Sequence, residues 1–363
     1  MSSSFVVHPN PNPHSAAERA ERLKSPGFGR YFTDHMVVAR YADGAWGPAT
    51  IEPYAPITLD PSASVLHYGQ AIFEGFKAYR QADGGIATFR AEKNAERFAS
   101  SARRLAMPAL PVEVFCGGAD QLIGLEQAWV PGGDGESLYM RPLMIGTDPF
   151  LGVRPSLEYL FLLFASPAGA YFPRGVKPVT VWISDEYVRA APGGTGFAKC
   201  AGNYAASLVA QAQAQAEGCD QVVWLDAVHR AYVEEMGGMN LFFVLREGGK
   251  TIVTTPELTG SLLPGVTRDS LLVLARDLGY EADERRIGVD EWREGVASGR
   301  VVEVFACGTA AVITPVGAVK SRQGAFTIGD GEGGPVAARL RQALLDLQHG
   351  RAPDPHGWMH RVV

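Results

Sequence analysis

A continuous apolar run, YLFLLFAS over residues 159–166, constrains the fold of this chain more than any other segment. A strand with one wet face alternates apolar and polar residues, so an unbroken run of this length is typical of a strand buried on both faces. The run leads into PAGAYFPRGVKP, a segment rich in proline and glycine, which indicates a linker between domains. We therefore expect one domain on each side of this linker.

The composition supports two domains with substantial cores. The chain has 363 residues, of which 46% are hydrophobic and 20% charged. We assign it to the α/β (α+β) class, with an N-terminal α/β domain over residues 1–170, a linker over 171–183 and a C-terminal domain over 184–363. Residues 1–25 are polar and rich in Pro and Asn, so we expect a loosely held arm there.

Apolar patterning predicts the main elements of both domains. In the first, MVVARY, ATIEPY and ITLD predict strands, and residues 90–108 predict a helix with a stripe of Phe98, Ala102 and Leu105, ended by Pro108. In the second, VTVWIS, QVVWLD and YVEEMGGMNLFFVL predict strands.

Caps and turns complete this prediction. Asn203 is placed to cap a helix that Gly218 ends. The letters GGKT resemble the end of a phosphate-binding loop, but Val244 stands where that loop needs glycine. REGGK over 246–250 is therefore predicted to be a hairpin turn.

Charge and cysteine usage exclude several classes of function. The net charge of −6, with no basic cluster, argues against a nucleic-acid partner, and no apolar run approaches the ~20 residues of a membrane span. The four cysteines form no C-x-x-C pair, so we expect a reducing, cytoplasmic location. His356 and His360 stand four apart with no acid between them, so we predict an ordered tail and no metal site.

The segment PGGTGFAKCAGNYAAS, residues 192–207, places one lysine, Lys199, among small and uncharged residues. Glycines let backbone approach a ligand closely. A lysine held away from water has a lowered pKa, which suits a neutral nucleophile that bonds an aldehyde. A surface-loop lysine is the alternative that this segment alone leaves open.

A carboxylate and a helix start supply two further groups. Adjacent strand residues face opposite ways, so one of Glu234 and Glu235 is expected to point into a site while the other meets solvent. Gly265, Val266 and Thr267 open a helix, whose free N–H groups form a seat for phosphate. A nucleophilic lysine, a carboxylate and such a seat are the parts that bind pyridoxal 5'-phosphate.

Further motifs carry a resemblance to a known family. LHYGQAIFEGFKAYR, YMRPLMIG, YVRAAPGGTGFAKCAGNYAAS, EEMGGMNLFFV, GSLLPGVTRDS and EVFACGTAAVITP follow one another in this order. With them the sequence resembles the branched-chain-amino-acid aminotransferases of the fold-type IV pyridoxal-phosphate enzymes, from Pro26 to Met359. The resemblance implies a smaller N-terminal α/β domain and a larger C-terminal pseudo-barrel domain that binds the cofactor.

The resemblance also implies roles at the cofactor. Lys199 would bond to it and later move the proton of the substrate α-carbon, Glu235 rather than Glu234 would meet the pyridine nitrogen, and Tyr204 would meet the phenolic oxygen. The implied phosphate ligands are Arg97, Arg189, and the backbone of Val266, Thr267 and Thr309.

The substrate residues are implied in the same way. The backbone of Thr309 and Ala310 would receive the α-carboxylate, and Arg141 would meet the distal carboxylate of glutamate. The implied side-chain pocket consists of Phe73, Tyr139, Arg141 and Tyr171, with Tyr68 lent by the second subunit of a homodimer.

The implied reaction transfers the amino group of L-leucine, L-isoleucine or L-valine to 2-oxoglutarate in two half-reactions. D-Amino-acid aminotransferase and aminodeoxychorismate lyase share the fold and stay as alternatives, although we expect them to lack the combined FEGFKAYR and GCDQVVWLD pattern. This chain departs from the vertebrate pattern. Ala311 and Thr314 replace a cysteine pair, so thiol regulation is not expected, and Gly238 replaces a threonine near the substrate.

Overall fold

The computed structural model describes residues 5–169 and 177–363. The strands are β1 (Val6–Val7), β2 (His35–Ala42), β3 (Ala45–Trp46), β4 (Thr50–Pro53), β5 (Ala71–Phe73), β6 (Phe76–Arg80), β7 (Ile86–Phe89), β8 (Ser137–Gly146), β9 (Tyr159–Ala168), β10 (Val179–Ser184), β11 (Gln221–Leu225), β12 (Val233–Met236), β13 (Met239–Glu247), β14 (Lys250–Thr255), β15 (Glu281–Glu284), β16 (Val301–Gly308), β17 (Val312–Ser321), β18 (Gly324–Thr327) and β19 (Met359–Arg361).

The α-helices are α1 (Ala16–Leu23), α2 (Ser64–Tyr68), α3 (Ala91–Arg104), α4 (Gly118–Leu125), α5 (Ala201–Ala205), α6 (Leu208–Ala216), α7 (Val266–Asp277), α8 (Val289–Ala297) and α9 (Pro335–Gln348). A π-helix spans Glu113–Gly117 and a 3-10 helix spans Gln127–Trp129.

The described residues divide into two compact units. The first takes 5–169, 198–202 and 346–363, and the second takes 177–197 and 203–345. These units differ from the boundaries expected from sequence, because β19 pairs with β7 and brings the C-terminal residues into the first unit. Of the predicted linker, residues 171–176 lie outside the described part, and 179–183 belong to β10.

The first unit is built on a sheet in the order β1-β4-β2-β9-β8-β6-β7-β19. The predicted two-sided strand is confirmed as β9, which pairs antiparallel with β2 and β8. Its residues Phe161, Leu163 and Ala165 join one buried cluster, while Leu160 and Leu162 join another. Alternate side chains therefore enter apolar cores on opposite faces of the sheet, which is why residues 160–165 of the run are all apolar.

Helix α3 follows its predicted pattern, with Phe98 and Ala102 buried in the core of the first unit. Two other predictions here were wrong. Residues 57–60, ITLD, form no strand, since β4 ends at Pro53. Residues 5–25 are not a loose arm, because Phe5 enters the core and β1 pairs with β4, both through the apolar FVV run.

The second unit contains a closed barrel. Strands β12, β11, β10, β17, β16 and β13 pair in this order, and β12 also pairs with β13, so the ring of strands closes. Strands β14, β15 and β18 extend it. The barrel arrangement agrees with the fold-type IV expectation, and its core includes Phe243, Leu241 and Trp292.

The hairpin and helix predictions of the second unit have mixed outcomes. The turn between β13 and β14 is confirmed, with Gly248 and Gly249 in left-handed conformations. Gly218 is left-handed just after α6, as a helix-ending residue should be. Asn203 does not cap a helix, because it lies inside α5, where its side chain bonds the hydroxyl and carbonyl oxygens of Thr195 at 2.6 and 2.8 Å.

Candidate active site

Lys199 lies in residues 198–202, a short segment that belongs to the first unit. Two hydrogen bonds hold its backbone in place. Its N–H donates to the Ser101 hydroxyl oxygen at 2.9 Å, and its carbonyl accepts the N–H of Phe73 at 3.0 Å. Its Nζ lies 5.0 Å from the centroid of the Phe73 ring. Strand β5 and helix α3 thus fix the lysine through residues that have no charge themselves.

A buried carboxylate that the sequence analysis missed lies beside this lysine. Glu74 accepts Nε and Nη2 of Arg97 at 2.7 and 2.9 Å, and its side chain is fully buried. Arg97, which the resemblance places at the cofactor phosphate, forms a buried ion pair with this carboxylate. The signal in the sequence was the single acid inside the apolar run AIFEGF.

Three of the residues implied for the substrate meet within the first unit. The Arg141 guanidinium carbon lies 5.0 Å from the Phe73 ring centroid and 5.3 Å from that of Tyr139. Its Nη2 donates to the Tyr139 hydroxyl at 3.3 Å, while its buried Nε has no acceptor among the described residues. Tyr68 is 43% exposed and donates to the Leu151 carbonyl, and Tyr171 lies outside the described residues.

In the second unit, Glu235 is the one of the two adjacent glutamates that forms an ion pair with an arginine. Its Oε2 lies 2.9 Å from Nε of Arg189, and its Oε1 accepts the N–H of Leu263 at 2.5 Å. Arg189 also donates to the carbonyls of Gly196 and Ser261. The guanidinium that the resemblance placed at the phosphate is thus directed at a carboxylate and two carbonyls.

Glu234 does not meet solvent, so that expectation was wrong. Its side chain is buried on the other face of β12 and accepts the hydroxyls of Ser261 and Thr259. Burial raises the pKa of Glu234 above its usual value, although the Ser261 hydroxyl acts in the opposite direction. The two adjacent glutamates therefore have different partners, a neutral hydroxyl pair and an arginine.

Tyr204 lines a cavity of 230 Å³ in the second unit, together with Arg189, Gly237 and Gly238. A Cβ added to Gly238 would lie 3.4 Å from Cε1 of Tyr204. A side chain in place of Gly238 would therefore touch this ring, which the glycine avoids.

The start of α7 has the form expected of an anion seat. Val266 and Thr267 are its first two residues, and Gly265 at the cap has no side chain to accept their N–H groups. A Cβ on Gly265 would lie 2.1 Å from Oδ1 of Asn240, so a larger residue does not fit. Asn240 in turn donates to the Leu263 carbonyl at 3.0 Å.

Thr309 and Ala310 lie in the turn that joins β16 to β17. Successive backbone N–H groups in a turn can together bind an anion such as a carboxylate. Ala311 and Thr314, which stand where vertebrate members have cysteines, are both buried.

The residues present fit pyridoxal phosphate: a lysine fixed by its backbone, a buried carboxylate, and a helix start capped by glycine. No group of three His, Cys, Asp or Glu residues in the described part of the chain is arranged to hold a metal ion. His360 pairs with Asp120 and His356 stacks on Trp358. Within the same ranges no helix is long and apolar enough to cross a membrane.

Comparison with known proteins decides the family. A model described as amino-transferase class IV matches residues 71–319. A branched-chain-amino-acid aminotransferase of Mycolicibacterium smegmatis is 61% identical over 99% of this chain and 98% of its own length. The chain belongs to the branched-chain-amino-acid aminotransferases of class IV. A Mycobacterium tuberculosis (H37Rv) relative of the same name is 59% identical over 99% of both chains.

Solved structures agree with this family. The T.th. branched-chain amino acid aminotransferase, solved with pyridoxamine 5'-phosphate, has a TM-score of 0.72 and 32% identity, over 90% of this chain and 98% of that one. The Escherichia coli enzyme has a TM-score of 0.72 and 30% identity, over 90% and 99%. The fold-type IV assignment made from the motifs is thereby confirmed.

Proposed function

We propose that this aminotransferase moves the amino group of L-leucine, L-isoleucine or L-valine to 2-oxoglutarate, with pyridoxal 5'-phosphate as cofactor. The observation that carries the choice of substrates is Arg141, whose buried Nε has no acceptor among the described residues while its guanidinium lies against two aromatic rings. One pocket of this kind offers both an apolar wall and a cation.

The two substrates make different demands on that pocket. A branched alkyl chain packs on the rings of Phe73 and Tyr139, and one methylene more or less changes its binding by about 1–3 kcal/mol. The distal carboxylate of glutamate or 2-oxoglutarate needs a charge-assisted hydrogen bond, which Arg141 supplies. Weak discrimination among leucine, isoleucine and valine follows.

The bound cofactor supplies an aldehyde for the amino group and a ring that withdraws electrons from the substrate α-carbon. We assign to Lys199 the covalent link and the transfer of the α-proton. We assign to Glu235 the pyridine nitrogen, to Tyr204 the phenolic oxygen, and to Thr309 and Ala310 the substrate α-carboxylate. The phosphate ligands are Arg97, Val266, Thr267 and Thr309.

Arg189 takes a different role from the one implied by the resemblance. Its Nε donates to Glu235, so we assign it to hold that carboxylate in position rather than to bind phosphate. The bond is charge-assisted and both side chains are buried, so the orientation of the carboxylate is fixed before cofactor binds.

We further propose a homodimer in the cytoplasm. The first unit exposes several large apolar side chains, among them Leu66, Leu151, Val153 and Leu157, and the exposed Tyr68 donates to the Leu151 carbonyl. Exposed apolar side chains are typical of protein interfaces, and Tyr68 is the residue assigned to the second subunit's site. The four cysteines are free thiols, as in proteins of a reducing compartment.

Absorbance of the purified enzyme tests the proposal. L-Leucine alone should remove the visible band of the bound cofactor, and 2-oxoglutarate should then restore it with release of glutamate. D-Leucine should leave the band unchanged, since a response would indicate D-amino-acid aminotransferase. Release of pyruvate from aminodeoxychorismate would indicate the lyase.

A further inference from the structure

Glu74 is a fully buried carboxylate to which no role has been assigned above. It stands between β5 and β6, in the motif that also carries Phe73. A buried carboxylate is costly unless cations or hydrogen-bond donors surround it. The groups that contact Glu74 therefore show which residues it helps to hold in place.

One side chain satisfies both of its oxygens. Arg97 donates Nε to Oε1 at 2.7 Å and Nη2 to Oε2 at 2.9 Å, which is a two-point contact between planar groups. Asn94 donates to Oε2 at 2.8 Å and the N–H of Gly75 does so at 3.1 Å. A bidentate contact fixes the plane and direction of the guanidinium as well as its position.

The same framework carries Lys199. Helix α3 contributes Asn94 and Arg97 to Glu74, and contributes the Ser101 hydroxyl to the N–H of Lys199. On the other side, Phe73, the neighbour of Glu74, donates its N–H to the Lys199 carbonyl. The carboxylate, the arginine and the lysine are therefore held by one helix and one strand.

Charge links the three groups as well. Burial alone would raise the pKa of Glu74, but Arg97, with Lys199 and Asn94, outweighs it and holds that pKa below the usual range. Of the two cations, Arg97 comes from α3 and Lys199 from segment 198–202. Asn94 and Gly75 are neutral groups that donate hydrogen bonds to Glu74, and Phe73 is a neutral neighbour of the lysine. Glu74 is therefore ionised at neutral pH, as its charge-assisted contact with Arg97 requires.

We propose that Glu74 is a positioning residue of the aminotransferase site, which orients Arg97 for the cofactor phosphate and joins the strand end to the helix that together anchor the backbone of Lys199. The inference rests on the proposed function, in which Lys199 carries the cofactor. Glu74 itself touches neither cofactor nor substrate in this assignment. It acts through the arginine and the lysine.

Titration of the cofactor-free enzyme with pyridoxal phosphate and with pyridoxal tests the inference, because only the first carries the phosphate that Arg97 is positioned to bind. Glu74→Gln keeps the shape of the side chain and removes the charge that orients Arg97, so the Kd of pyridoxal phosphate should rise by about tenfold while the Kd of pyridoxal changes much less. Glu74→Asp keeps the charge and should lie closer to the wild type. Glu92→Gln removes an exposed carboxylate from the same helix and should leave both constants unchanged.

An unchanged Kd of pyridoxal phosphate in Glu74→Gln, an equal rise for pyridoxal, or an equal rise in Glu92→Gln would overturn the inference. If Glu74→Gln is insoluble, the double variant Glu74→Gln/Arg97→Met should recover soluble protein, since the uncompensated buried guanidinium is then gone. An insoluble double variant would also count against it. Failure of the proposed function looks different, because wild-type enzyme would then show no visible band that L-leucine removes.

Discussion

Nε of Arg189 lies 2.9 Å from Oε2 of Glu235, and the two side chains are 5% and 2% exposed. This ion pair distinguishes Glu235 from its neighbour Glu234, whose Oε1 accepts hydrogen bonds from two hydroxyl groups. Strand alternation thus places two chemically different carboxylates on the two faces of β12. The difference between them is open to experiment.

Glu235→Gln should reduce the rate of α-proton removal by at least about 100-fold, because a neutral amide no longer stabilises a protonated pyridine nitrogen. The variant should still bind the cofactor. Stopped-flow absorbance with L-leucine measures the rate. Glu234→Gln is the matched control and should stay close to the wild-type rate; equal inactivity of both variants would contradict the assignment of the two faces.

Arg141→Met should slow the half-reaction with 2-oxoglutarate by about 10–100-fold more than that with L-leucine, since a charge-assisted hydrogen bond to the distal carboxylate is lost while the apolar wall remains. The two half-reactions are measured separately in single-turnover experiments. Equal losses in both would remove Arg141 from the carboxylate-binding role.

Gly265→Ala should weaken cofactor binding by about tenfold or more, because its Cβ would lie 2.1 Å from Oδ1 of Asn240 and displace the start of α7. Gly202→Ala is the control, since its Cβ would meet no atom within 4 Å. Titration of the cofactor-free proteins with pyridoxal phosphate gives both dissociation constants. Equal constants for the two variants would count against a phosphate seat at this helix.

Asp226→Asn should lower stability at neutral pH but not in strong acid. Burial acts to raise the pKa of Asp226, yet the N–H groups of His229, Tyr232 and Ala231 outweigh it and lower that pKa to about 2. The carboxylate therefore stabilises the fold above its unfolded pKa of 3.8, and this contribution is lost as the pH falls toward 2.

The urea midpoints of wild type and Asp226→Asn should accordingly differ at pH 7 and converge between pH 4 and about pH 2. Asp283→Asn, at an exposed position of β15, should track the wild type throughout. A difference between wild type and Asp226→Asn that persists unchanged at low pH would show that the charge is not what stabilises this loop.

Much of the fold could be predicted because it depends on local patterns. The run that becomes β9 has no charged residue since both of its faces enter cores, and the Gly248–Gly249 turn needs left-handed backbone. The prediction that Asn203 caps a helix was wrong because its side chain hydrogen-bonds Thr195, a loop residue that the capping rules do not consider.

The Glu74–Arg97 pair could not be predicted, because it joins a strand end to a helix 23 residues further on. On the helix alone, Arg97 lies off the buried stripe and looks solvated. Its burial depends on a carboxylate supplied by tertiary structure. The placement of residues 346–363 in the first unit has the same cause, since β19 finds its partner in β7 across most of the chain.

Borohydride reduction of the holoenzyme, followed by peptide mass mapping, tests the central claim most directly. The account predicts one pyridoxyl-phosphate adduct, on Lys199, and its absence after prior treatment with L-leucine. An adduct on another lysine, or wild-type enzyme that stays fully active and unlabelled after reduction, would contradict it.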